Sequence, residues 1–353
     1  MIALRFYRIY DIGREIDLTK LEKALARSYF TARASFQRVN PKSIMMEEPP
    51  LMLKLHPVSI ERDGKKLDLN VIARVYDIGA ISLCFAYENH EITSNHLLDY
   101  ALLFPRQEGL SDLFLSYLKN LKEILNPYLT DFSIESEFSE DYTIYVTDRI
   151  DETIDTAALL FGERTNFSLQ MKEEIAKNTL SYTSDDIAIL SWDSALLCNP
   201  ENPTDLIELI EFASVQVLEL RYYDRVLTRQ MEKMYDDIEH ADHMPGFVRM
   251  RKYHAIMTRL METYAEISEI TEKINNLIKV TEDVYYARVY AMVLKVMRSS
   301  QWSESVSRKI EVINENYSML SEEVRIQHSN FLEWVIIVLI AMEFILAIWQ
   351  SVF

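Results

Sequence analysis

The sequence predicts an α+β protein: a sheet-containing head, then a long-helix bundle, then one C-terminal transmembrane helix. Three observations carry this. Runs of alternating apolar residues fall within the first 200 positions. From Thr204 onward the periodicity is almost all helical. The last 23 residues, Phe331 to Phe353, read FLEWVIIVLIAMEFILAIWQSVF. The boundaries drawn are 1–200 for the head, 201–330 for the helical, coiled-coil-like region and 331–353 for the anchor. With 6 Gly and 9 Pro in 353 residues, long elements with few tight turns are expected.

In the head, Ile2–Tyr10 alternates as a strand. Asp17 is placed to cap the helix LTKLEKALAR, and residues 31–50 read as a linker. Leu51–Ile60 is strand-like, and Arg62-Asp63-Gly64-Lys65 is a hairpin turn into a second strand. Val71–Tyr76 and Ala80–Tyr87 are rich in β-branched and aromatic residues. Helices are expected over Thr93–Phe104 and Leu110–Leu125. The pattern then restarts with a strand at Tyr142–Thr147, helices at Thr153–Phe161 and Leu169–Asn178, and a β pair at Asp186–Ser191 and Ala195–Cys198. Strand, helix, strand pair, helix thus occurs twice, in 2–127 and 142–240, which hints at two related βαββα halves.

Leu206–Glu239 is one long amphipathic run. Apolar positions 256, 260, 264, 267, 270, 274, 277, 280 and 284 step by three and four, as do Ile310, Ile313, Tyr317, Leu320 and Val324. Such stripes form either a bundle core within one chain or a seam between copies. No Pro or Gly separates Trp302 from Phe353, so the last helix is expected to enter the apolar segment without a hinge.

That segment would reach about 34 Å at the helical rise, enough for a hydrocarbon core of about 30 Å. Trp334 and Trp349 sit near its ends, where indole rings favour the headgroups. Arg308, Lys309 and Arg325 precede it, so the positive-inside rule keeps residues 1–330 in the cytoplasm, with the single span in a bacterial inner membrane or, in a eukaryote, the mitochondrial inner membrane. The N-terminus MIALRFYRIYDIG lacks the apolar core of a signal peptide. Glu343 falls mid-span and must face a partner or carry a proton. A contact between neighbouring anchors and a proton relay are the two readings.

Net charge is −18. Residues 1–42 hold nine Lys/Arg and four Asp/Glu, a local +5 that leaves −23 for the remainder. An acidic body repels phosphate backbones, so bulk nucleic-acid binding is not expected. Cys84 and Cys198 lie in apolar runs and read as small buried hydrophobes in a reducing compartment.

Candidate chemistry is sparse. His240 and His243, with Asp236 a turn back, have metal-ligating types on one helix face, although polar residues also gather at helix ends. Glu88, His90, Glu91 and His96 form a second acid–histidine patch after a strand. Glu219, Arg221, Tyr222, Asp224 and Arg225 interrupt the apolar pattern of a long helix. Glu219, Arg221 and Arg225 are placed to pair with Asp193 or Glu163, as a buried ion network or a ligand cleft. There is no G-x-S-x-G, P-loop, G-x-G-x-x-G or C-x-x-C, so no cofactor and no catalytic residue is assigned.

Glu140–Asp148 (EDYTIYVTD), Leu159–Ser168 (LLFGERTNFS), Leu180–Pro200, Leu209–Asp224 and the ending Tyr285–Ile348, with its LEW-plus-apolar stretch around Glu343, resemble the Required-for-meiotic-nuclear-division / YagE family. The resemblance implies a C-terminally anchored membrane protein that self-assembles and carries no established catalysis. The expectation is a non-enzymatic, membrane-anchored, homo-oligomeric scaffold in contact with a lipid bilayer and a protein partner. The alternatives are a metal-dependent hydrolase, or a ribosome or RNA tether acting through residues 1–42.

Overall fold

A computed structural model describes residues 1–12, 16–26, 29–33, 44–45, 48–128, 138–149, 154–201, 203–276, 279–280 and 284–352. It divides into two compact units. The first is Met1–Tyr222 with Glu272–Ser303, and the second is Tyr223–Thr271 with Glu304–Phe353. The α+β class holds.

The head is built on a nine-stranded sheet. In chain order the elements are β1 (Ile2–Asp11), α1 (Leu18–Leu25), β2 (Thr31–Arg33), β3 (Ile44–Met45), β4 (Leu51–Arg62), β5 (Lys65–Val75), β6 (Ala80–Asn89), α2 (Leu97–Ala101), α3 (Ser111–Leu125), β7 (Ser139–Thr147), α4 (Thr156–Phe161), α5 (Leu169–Ala176), β8 (Thr179–Leu180), β9 (Ile187–Leu190) and β10 (Ser194–Cys198). The remainder is helical except for one short strand: α6 (Thr204–Asp242), α7 (Gly246–Asn276), β11 (Lys279–Val280), α8 (Val284–Val296) and α9 (Ser299–Val352). The sheet order is β2-β4-β5-β6-β1-β7-β10-β9-β8, and β3 pairs separately with β11.

Local chemistry explains much of this. Asp17 caps α1 by accepting from Lys20 N at 2.9 Å. Asp63 and Gly64 both take positive φ, 50° and 71°, as the primed two-residue hairpin joining β4 to β5 requires. Pro57 cannot donate to a ladder, and the β4–β5 register shifts between Leu55 and Val58, around it. Part of the expected linker is strand: β2 adds to the sheet edge and β3 pairs with β11. Two- and three-residue strands leave too little alternation to read. Thr153, expected to open a helix, lies outside the described residues, and α4 begins at Thr156.

Strand alternation sends side chains to two faces. Leu4, Phe6, Leu53, Val71 and Phe85 pack with α1 to α4 through Leu21, Leu97, Phe114 and Leu159. Tyr7, Ala86, Ile144 and Leu197 pack on the opposite face with α6 and α8 through Ile207, Ile210, Val289 and Val293. The head is therefore helix, sheet, helix in three layers, and it extends past residue 200 to include Thr204–Tyr222 and α8.

The two halves meet at β1 and β7, which pair antiparallel. Outward from that seam the order is β6, β5, β4 on one side and β10, β9, β8 on the other. The polarity differs: β6 runs antiparallel to β1, whereas β10 runs parallel to β7. The halves share strand order without sharing one topology.

In the second unit buried positions seven residues apart are Leu227, Met234 and Ala241 on α6, Tyr253, Leu260 and Ile267 on α7, and Val306, Ile313 and Leu320 on α9, and Ile256 is buried between two of them. Asp224 on α6 accepts from Lys309 Nζ and from Ser305 Oγ on α9, both at 2.6 Å. Asp237 holds Lys252 at 2.9 Å and Arg259 at 2.8 Å on α7. The buried members of these stripes are covered within the chain itself, while Tyr264 is exposed.

Among the described residues one helix is long and apolar enough to cross a membrane. It spans Ser299–Glu343 there, with mean hydropathy 1.3 over its most apolar 18 residues, none of them buried. Phe331 to Met342 present large apolar side chains that are 38–67% exposed, Trp334 the most. Glu343 is exposed too, and nothing is described of the Trp349 side chain.

Candidate functional site

The head contains a cleft of about 640 Å³, inside the usual range for small-ligand sites. Its walls come from the start of β7, the β9–β10 turn, α5, α6, the end of α8 and the start of α9. Arg221 projects into it from α6, ion-paired with Glu140 and with its guanidinium 5.4 Å from the Trp302 ring centre. Trp192, in the β9–β10 turn, is 64% exposed at the rim beside Met171. The tight turn, closed by Ser191 N on Ser194 O at 2.7 Å, pushes the indole outward.

The floor is anchored by Tyr142, whose hydroxyl donates to the Ser191 and Ser194 carbonyls at 3.1 and 2.9 Å. Burial pushes its phenol well above the ordinary tyrosine range. Lys295 and Arg298 also line the cleft. Arg298 has φ 58° and separates α8 from α9, a helix-ending left-handed position without glycine.

The charges are unevenly matched. Three carboxylates line the cleft, and each has a cation: Glu140 has Arg221, Asp141 has Arg8 at 2.5 Å and Glu174 has Lys177 at 3.0 Å. Lys295 and Arg298 have no ion-pair partner among the described residues.

The residues singled out from the sequence scatter. Arg221 alone of the seven lines this cleft. Its partner is Glu140; the expected pairing with Asp193 or Glu163 does not occur. Glu163 pairs with Arg106 at 3.0 Å, and Asp193 accepts from Ser194 Oγ at 3.2 Å while burial raises its carboxyl. Glu219 is wholly buried, Tyr222 packs edge-on to Phe138 at 5.8 Å, Asp224 belongs to the second unit and Arg225 is exposed. Successive helical residues point about 100° apart, so a contiguous run cannot share one site.

His240 spends Nδ1 on the Asp236 carbonyl of its own helix at 2.6 Å. Among the described residues no group of three or more His, Cys, Asp or Glu side chains could hold a metal, so Asp236, His240 and His243 do not converge on one. In the second patch Glu88 is ion-paired with Arg5, and His96 lies 3.7 Å from Asp99. Cys84 and Cys198 are buried free thiols, each pushed up to about 11 by burial. Of the nine basic residues in 1–42, Arg5, Arg8, Lys20 and Arg33 pair with the chain's own carboxylates, while Arg14, Arg27, Arg38 and Lys42 lie outside the described residues.

Residues 1–204 match a family described as "Uncharacterized protein MJ0711, N-terminal domain". The chain belongs to this family. Over 265 residues it is 26% identical to Uncharacterized protein MJ0711 of Methanocaldococcus jannaschii, a span covering 71% of this chain and 75% of that protein. No solved structure matches. The family match overturns the resemblance to the Required-for-meiotic-nuclear-division / YagE family. Much of that resemblance lay in long amphipathic helices and an apolar ending, which unrelated anchored proteins share by composition.

The match ends at Thr204, the first residue of α6. The cleft therefore joins the family domain, through Glu140, Tyr142 and Trp192, to α6, α8 and α9 beyond it. Trp192, Trp302, Lys295 and Arg298 were missed from the sequence. The available signal was an aromatic residue placed in a predicted turn.

Proposed function

We propose that this protein is a non-enzymatic, membrane-anchored oligomeric scaffold whose head binds a partner at the Arg221 cleft. The observation that carries the reading is α9. This one helix contributes Trp302 to the cleft and also contains the exposed apolar run from Phe331 to Met342. Exposed apolar side chains over that length are costly in water and suited to lipid. The basic residues before the run, Arg308, Lys309 and Arg325, favour a cytoplasmic head under the positive-inside rule. A carboxyl at position 343 costs about 2.5–3.5 kcal/mol in hydrocarbon, which a hydrogen bond to a second copy offsets.

Two results test this. Full-length protein should resist salt and alkaline extraction from membranes, whereas protein ending at Asn330 should be soluble and of lower oligomeric order. Retention of the shortened protein in the membrane fraction overturns the anchor. Glu343→Leu should keep the membrane fraction and reduce cross-linked species; unchanged cross-linking removes the role given to Glu343.

A further inference from the structure

The cleft combines three features. Its carboxylates are already matched by Arg221, Arg8 and Lys177. Its remaining cations, Lys295 and Arg298, have no ion-pair partner among the described residues although the chain carries a net charge of −18. Its rim holds the indole of Trp192, 64% exposed, and its wall the indole of Trp302.

Each feature selects chemistry. Two cations lining one cleft, in a protein with a large excess of acid, favour a compact dianion, and a phosphate monoester carries about −1.5 to −2 at pH 7. A large exposed indole offers a face for stacking a flat ring. The Arg221 guanidinium, already over the Trp302 ring, rigidifies that second aromatic wall. A volume of about 640 Å³ accommodates a small molecule. A bare inorganic anion would leave the indoles unused, and a neutral aromatic would leave the cations unused.

We propose that the cleft binds a small phosphate monoester carrying a flat aromatic body, of the nucleoside monophosphate class. Lys295 and Arg298 hold the phosphate, and Trp192 stacks on the ring. The proposal rests on the reading of this cleft as the binding surface and is independent of membrane attachment. It can fail while the anchor stands, and the reverse.

The test uses full-length protein in detergent, titrated by calorimetry and tryptophan fluorescence with AMP, adenosine and inorganic phosphate. AMP is expected to bind saturably, with adenosine and phosphate each at least about tenfold weaker. Lys295→Gln and Arg298→Gln should each weaken AMP by about tenfold and flatten its salt dependence. Trp192→Ala should weaken it by about fivefold or more. Trp192 and Lys295 are exposed, so thermal unfolding should be unchanged and confirms that the variants fold. Absence of saturable AMP binding at millimolar ligand overturns the proposal. So does phosphate binding as tightly as AMP, or affinity indifferent to all three substitutions.

Discussion

Arg74→Met is expected to lower the stability of the head by about 3–5 kcal/mol, the usual cost of stranding buried charges. Arg74 on β5 is 8% exposed and ion-paired with Glu211 on α6, and its Nη2 reaches Glu208 at 2.8 Å. Tyr76 adds a hydroxyl bond to Glu211 at 3.3 Å. These contacts clamp α6 across the sheet face opposite α1 to α4, and with it the helix that carries Arg221. Methionine keeps the apolar stem and removes only the guanidinium, so the loss reports on two carboxylates left without their cation.

The pH dependence has a definite sign. Burial outweighs Arg74 and pushes Glu208 up to about 7, while the buried Arg74 is itself raised by its carboxylate neighbours. A carboxyl raised above its unfolded value of about 4.3 binds its proton more tightly in the folded state, so stability declines as pH rises through that window. Without Arg74, Glu208 rises further. The deficit of Arg74→Met should therefore be small near pH 5 and largest near pH 8, measured by denaturation midpoints at both. The triple variant Arg74→Met, Glu208→Leu, Glu211→Leu should return to wild-type stability or exceed it by about 1–4 kcal/mol. An equal deficit at both pH values, or a triple variant less stable than the single one, contradicts this account.

This clamp was invisible in the sequence for a physical reason. Arg74 lies 134 and 137 residues from its partners, and Glu208 and Glu211 sit near a helix start, where acids are common anyway. What could be read was local. The Asp63-Gly64 hairpin needs positive φ at two adjacent positions, and the Asp17 cap needs only its own helix. The alternation of Ile2, Leu4 and Phe6 against Ala3 and Tyr7 needs only the strand period. Strand order and the parallel β7–β10 pair depend on which faces must be covered, so no single segment encodes them. The cleft was partly legible because Arg221 broke an apolar pattern. Its other walls lie up to about 160 positions apart, and Lys295 and Trp302 look like ordinary surface residues until the helices are placed.

Glu219→Gln is expected to behave as a pH-selective stabiliser. Glu219 is 0% exposed on α6, and neither carboxyl oxygen has a hydrogen-bond partner among the described residues. Burial is the main cause, and the neighbouring Asp11 adds to it, that holds this acid well above the ordinary glutamate range. The folded head therefore holds the Glu219 proton to higher pH than the unfolded chain, which releases it above about pH 4.3. From there upward the unfolded state gains, by up to about 1.4 kcal/mol per pH unit for one group. Glutamine has the shape of the protonated acid and no proton to lose. Wild type and Glu219→Gln should match near pH 4.5, and the variant should pull ahead as pH rises toward 8. The contribution of Glu208 is common to both proteins and cancels in the difference. A variant less stable than wild type at pH 8, or a difference independent of pH, would show that Glu219 is ionised in the folded head. A cation would then have to balance it.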